Sequence, residues 1–156
     1  MTDINTLLVD AMNSELEAKN FYLDASAKAQ SNAGKKFFNE LAQFEQRHFE
    51  NVKKIIESRN ENMEIELPDV AHDILSINSE VDGEFEPNKD EIISVINQAI
   101  EAEKKAQDRY KIIARLVDDE STKKIFEDLA QDEENHQKIL EDEIYQLSNK
   151  GTIIWE

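Results

Sequence analysis

The chain has 156 residues, enough for one domain with a substantial core. Lys and Arg total 18 against 35 Asp and Glu, a net charge of −17, which excludes a general binder of nucleic acid or anionic membrane because either needs a basic face. Cysteine is absent, which excludes disulfides and Cys-ligated zinc or iron–sulfur centres, and only 3 Gly and 2 Pro interrupt the chain, so helices can run long.

The first predicted helix covers about residues 3–30. Ile4, Leu8, Ala11, Glu15, Ala18, Tyr22, Ala25 and Ala29 recur on one stripe in steps of four and three. Its opening, MTDINTLLVDAM, has no basic segment followed by an apolar stretch, so no signal peptide is expected. Ser31-Asn32-Ala33-Gly34 reads as the connection to a second helix over about 34–60, with Phe38, Leu41, Glu45, His48, Val52 and Ile55 on its stripe. A long acidic crossover, 61–89, holds both prolines, with a short helix expected at Val70–Ile77 and His72 exposed. The third helix, about 90–117, carries Ile92, Ile96, Ala99, Glu103, Ala106, Tyr110, Ile113 and Val117, with Asn88 or Asp90 as its cap. Asp118-Asp119-Glu120-Ser121 turns the chain into the fourth helix, about 121–149, marked by Phe126, Leu129, Glu133, His136, Leu140 and Leu147. Gly151 ends it, and Trp155 in the tail GTIIWE is expected to pack on the bundle or on a partner chain. Short connections within each pair make two antiparallel hairpins, joined by one long crossover into an all-α four-helix bundle. No apolar run approaches the ~20 residues of a membrane span, so a soluble cytoplasmic protein with no membrane or nucleic-acid partner is expected.

The two hairpins repeat one another. An offset of 88 residues places Glu15 on Glu103, Ala18 on Ala106, Tyr22 on Tyr110, Glu45 on Glu133 and His48 on His136 without a gap. From Lys35 to His48, 8 of 14 positions are identical in the second copy. Each copy therefore brings a lone Glu, a Glu-x-x-His pair and a Tyr on its apolar stripes.

Four carboxylates on apolar stripes need compensation, because a buried unpaired charge is expensive. Two divalent metals would balance Glu15, Glu45, Glu103 and Glu133, with neutral His48 and His136 completing the set. Oxygen and imidazole donors without thiolate suit iron or manganese. One acid three places before a His is expected by chance where 35 of 156 residues are acidic. Two of the chain's 3 His carrying that pair at matched offset inside apolar stripes is not.

The series Glu15…Tyr22…Glu45-Gln46-Arg47-His48…Glu103…Tyr110…Glu133-Glu134-Asn135-His136 resembles the di-iron carboxylate proteins of the ferritin-like superfamily, and within them the rubrerythrins. The resemblance implies a ferritin-like bundle holding two iron ions, with manganese or zinc as alternatives. It implies bridging Glu45 and Glu133, terminal His48, His136, Glu15 and Glu103, and phenols of Tyr22 and Tyr110 that hold carboxylates in place. It also implies oxidation of Fe(II) by hydrogen peroxide or dioxygen, a peroxidase or ferroxidase activity, in a homodimer. The chain departs from the family pattern in several places. It lacks the four cysteines of a rubredoxin-like domain, so an external electron-donor protein is expected. Ala106 stands where rubrerythrins carry an extra carboxylate. Gln46 stands where bacterioferritins carry a haem-ligand Met, and the tail leaves no room for a fifth helix. A non-catalytic metal carrier or sensor, and a structural acidic bundle with a vestigial site, are the rival readings.

Overall fold

A computed structural model describes residues 3–61 and 83–154. The expected short helix at Val70–Ile77, His72 and Trp155 lie outside the described residues. Four long helices dominate: α1 (Ile4–Lys28), α2 (Asn32–Glu61), α3 (Lys89–Leu116) and α4 (Glu120–Lys150). Two two-residue strands accompany them, β1 (Glu84–Phe85) before α3 and β2 (Thr152–Ile153) after α4. α1 packs along α2 and α3 along α4, and α1 also lies against α3. This is the all-α ferritin-like four-helix bundle that the stripes predict, with helix ends within two residues of expectation.

The caps explain where the helices begin and stop. Asp3 accepts from the amide of Asn5 at the start of α1, and Asp119 accepts from the amide of Thr122 at the start of α4. Gly151 ends α4 in the left-handed conformation, φ 69°, with its amide on the Leu147 carbonyl. Asn88 precedes α3, but its side-chain amide donates to the Lys28 carbonyl and to Glu91, so it ties α3 to the end of α1 instead of capping.

The expected Ser31–Gly34 connection is a correction: α2 already begins at Asn32, and only residues 29–31 lie outside the helices. Ser31 takes the Gly34 amide on its hydroxyl, 2.9 Å, so Asn32, Ala33 and Gly34 form the first turn. Two carboxylates arriving from just before α3 complete that end. Glu84 accepts from the amides of Asn32 (2.9 Å) and Ala33 (3.1 Å). Glu86 accepts from the amides of Gln30, Ser31 and Asn88 and from the Ser31 hydroxyl. The strands were not anticipated either. β1 and β2 pair antiparallel, Glu84 with Ile153 and Phe85 with Thr152, and this pairing fixes Glu84 and Glu86 at the turn between α1 and α2.

The core is in two parts. Phe37, Phe38, Leu41, Ile92, Ile96 and Leu140 belong to one buried cluster. Leu8, Val52, Ile55, Ile113, Phe126 and Leu129 belong to the other. Between them the stripes place six polar side chains.

Candidate metal centre

Glu15, Glu45, His48, Glu103, Glu133 and His136 are each no more than 2% exposed. One stripe position from every helix, and a second one turn on in α2 and α4, put all six at one level of the bundle. Their donor atoms form two interlocked sets. Glu15, Glu45, His48 and Glu133 offer atoms within 4.8 Å of one another, and so do Glu45, Glu103, Glu133 and His136. Glu45 and Glu133 belong to both. The His48 Nδ1 atom lies 2.8 Å from Glu133 Oε1 and 3.7 Å from Glu15 Oε2, while His136 Nδ1 lies 3.3 Å from Glu45 Oε1 and 3.7 Å from Glu103 Oε1. Each imidazole thus reaches the carboxylate of the opposite hairpin's Glu-x-x-His pair. The two rings stack, centroids 5.9 Å apart and 12° from parallel.

The tyrosines cross in the same way. The Tyr22 hydroxyl on α1 donates to Glu103 Oε1 on α3 at 2.6 Å, and the Tyr110 hydroxyl on α3 donates to Glu15 Oε1 on α1. Both bonds are buried, and both run between α1 and α3, which must therefore lie antiparallel. Burial, then the charge of Glu103 for Tyr22 and of Glu15 for Tyr110, pushes each phenol well above its ordinary pKa. Each stays a donor.

Four buried carboxyls this close together cannot all ionise alone. Burial, then the charge of Glu45, pushes the Glu15 carboxyl up to about 8. Burial, then the charges of Glu103 and Glu45, pushes Glu133 well above the carboxylate range. For Glu45 burial and the charge of Glu103 also push upward, but the facing Glu15 carboxyl and the two nearby imidazoles outweigh them and hold it low. Glu103 is held low against burial by Glu133, His136 and Tyr22.

One oxygen of each of the four carboxylates, Glu15 Oε2, Glu45 Oε1, Glu103 Oε2 and Glu133 Oε1, is buried with no hydrogen-bond partner. Such atoms are costly unless a cation meets them. The donor set is hard and borderline, oxygen with imidazole, and fits iron or manganese. Zinc, which takes four oxygen or imidazole donors in tetrahedral array, can enter each set of four as well.

The stripes did not disclose Asp132. It is buried beside Glu133, and its Oδ2 lies 3.4 Å from His48 Nε2, on the side away from the cluster. Its repeat mate is Phe44, whose ring stacks on His136 at 5.5 Å. One imidazole is backed by a carboxylate and the other by an aromatic ring, so the two halves are not equivalent. The sequence signal was the mismatch of Phe44 with Asp132, within a segment otherwise matched closely. Glu143 was also missed. It is 1% exposed, neither oxygen has a hydrogen-bond partner, and its repeat mate is Ile55.

A ferritin-like bundle with two Glu-x-x-His pairs and two further inward Glu residues defines a class of proteins with a buried carboxylate–histidine cluster able to hold metal. Residues 6–143 match the Rubrerythrin family, and the chain belongs to that family. Among solved structures it is similar to "Hypothetical Protein Pfu-1136390-001" from Pyrococcus furiosus, with a TM-score of 0.74 and 25% identity over 94% of this chain and 91% of that one. No curated protein matches it.

Proposed function

We propose that the protein binds two iron ions per chain and oxidises Fe(II) while reducing hydrogen peroxide or dioxygen. One observation carries this reading: two donor sets, each of three carboxylates and one imidazole, interlock through Glu45 and Glu133 at the centre of the bundle. Glu15 and His48 would terminate one position, Glu103 and His136 the other, and Glu45 and Glu133 would bridge them. Iron held there would supply the electrons, one from each of two Fe(II), and reduction of one peroxide to two waters would consume both together with two protons. The chain's own residues do the rest. Tyr22 and Tyr110 hold the terminal carboxylates in orientation through their hydroxyls. Glu15 and Glu133 give up their protons as cations arrive. The two apolar clusters on either side lower the local dielectric, which strengthens the hold of the carboxylates on a cation. Re-reduction of the site would fall to an electron-donor protein.

The test is metal analysis followed by titration. Protein loaded with Fe(II) without oxygen should hold two iron ions per chain and consume one peroxide for every two Fe(II) oxidised. Glu45→Ala and Glu133→Ala should each lower occupancy of both positions. Two tightly held metals with consumption of neither peroxide nor dioxygen would make the protein a carrier. No metal at all would leave a structural bundle.

A further inference from the structure

A cavity of about 300 Å³ lies between α1 and α3 and reaches Glu15, Glu45, Glu103 and Glu133 at its inner end. Its wall is built largely from Ala18, Phe21, Ala99, Ala102 and Ala106. At ~30 Å³ per water molecule it has room for about ten waters, whereas peroxide or dioxygen needs the space of roughly two. Even with two metal ions at the inner end, most of the volume is left over. Ala18 and Ala106 are repeat mates, so the same small residue opens the wall from both helices.

The outer end has a sign that the repeat makes visible. Glu17 and Lys105 are repeat mates, as are Phe21 and Arg109, and all four line the cavity. A symmetric opening would carry like residues on both sides. Here α3 contributes two cations, four residues apart and therefore on one face, where α1 contributes an acid and an aromatic ring. Among the described residues neither Lys105 nor Arg109 forms an ion pair. Two such cations are conspicuous on a chain of net charge −17.

We infer that this cavity binds a small organic carboxylate, its charged end between Lys105 and Arg109 and its apolar body along the alanine-lined wall toward the carboxylate–histidine cluster. The volume admits an acid of about ten non-hydrogen atoms. Arg109 offers a planar fork that matches a carboxylate, and Lys105 adds a point charge. Glu17 offsets one of the two cations, so the mouth keeps one net positive charge. The inference rests on the two-metal reading in one respect: cations must neutralise the inner carboxylates, or they would repel the ligand.

Zinc-loaded protein tests binding without turnover, because zinc does not change oxidation state. Benzoate and its neutral analogue benzamide are titrated calorimetrically, with metal content measured on the same samples. Benzoate should bind once per chain, and benzamide at least tenfold more weakly. The double variant Lys105→Gln, Arg109→Gln should weaken benzoate about tenfold, leaving benzamide and the zinc content unchanged. Ala102→Leu, on an exposed stretch of α3, should fill the wall and abolish binding of both at unchanged helicity and zinc content. Full metal content with benzoate affinity indifferent to the double variant would mean the carboxylate seeks the metal end, and overturns the inference alone. So would the absence of saturable benzoate binding to zinc-loaded protein. Failure to take up metal would overturn the two-metal reading, and this inference with it.

Discussion

Asp132 and Glu143 are both buried acids that break the repeat, and they do opposite things. Asp132 backs His48 through the nitrogen that faces away from the cluster. A carboxylate in that place fixes the ring and raises its basicity, and its loss typically weakens metal binding 10–100-fold. Asp132→Ala should therefore weaken one of two metal affinities by about that factor, with the position beside His136 and Phe44 much less affected. Equal losses at both positions, read by calorimetric titration with Mn(II), would show that Asp132 does not act through His48. Glu143 has no such partner. Burial pushes its carboxyl up to about 7, and only the backbone amide of Ile154 comes near enough to pull it down. A carboxyl with a raised folded pKa keeps its full stability below about 4.5, its ordinary value, and loses it as pH rises through about 7. Glu143→Met, of similar length, should stabilise the protein at pH 8 by roughly 2–3 kcal/mol in urea unfolding. The gain should shrink toward pH 4.5. A gain independent of pH would mean that packing, not ionisation, is the cause.

At the scale of elements, the start of α2 depends on groups more than fifty residues away. Glu86 accepts four hydrogen bonds at the turn, and Gly34 is there because a Cβ would come within 2.7 Å of Glu86 Oε1 and 2.8 Å of Ser31 Oγ. Burial works against the Glu86 carboxylate, but the Ser31 hydroxyl and the amides of Gln30, Ser31 and Asn88 outweigh it and hold its pKa low. A depressed carboxylate pKa contributes stability above about 4.5 that is lost as pH falls through the folded value. Glu86→Gln should cost roughly 1–3 kcal/mol at pH 7, with the gap to wild type closing below about pH 4.5. A penalty unchanged at low pH would leave the charge without a role. This junction is also where the sequence carries no local signal. The four stripes of period 3.6 and the Gly151 stop were legible because each is local; the Asp118–Ser121 connection was placed correctly but is shorter than expected, since α4 already begins at Glu120, and the six inward polar residues were legible because they interrupt local patterns. Glu84 and Glu86 sit in an acidic run and look like any solvated charges. Their partners are fixed only when β1 pairs with β2, a two-residue ladder with no periodicity to read. Asp132 stayed hidden for a related reason: it lies one step off the stripe, and only the approach of α2 brings His48 against it.

Across the whole molecule, the cluster sets two demands against each other, folding and metal binding. Burying the carboxyls of Glu15 and Glu133 raises both pKa values, Glu15 to about 8, so the metal-free protein keeps their stability below about 4.5 and loses it as pH rises through the folded values. Glu45 and Glu103, held low, work in the opposite sense, with their contribution lost only as pH falls below the ordinary carboxylate range. Between pH 5 and 8 the first pair therefore governs the slope. Metal binding runs the other way, because it requires the ionised carboxylates that high pH supplies. The melting temperature of metal-free protein should fall from pH 5.5 to pH 8, while the rise on adding Mn(II) should grow over the same interval. At a hundredfold excess over Kd, binding to the folded state alone is worth about 2.7 kcal/mol, or of order 5–10 °C for a chain of this size. Glu143 titrates in the same window and would tilt the metal-free curve in the same direction, so the measurement belongs in the Glu143→Met background. There the remaining slope is due to the cluster. A metal-induced rise of equal size at both pH values would mean that the cation binds elsewhere on the acidic surface, since exposed carboxylates are already ionised at pH 5.5. A rise that grows with pH and disappears in Glu45→Ala would tie it to the residues shared by both donor sets.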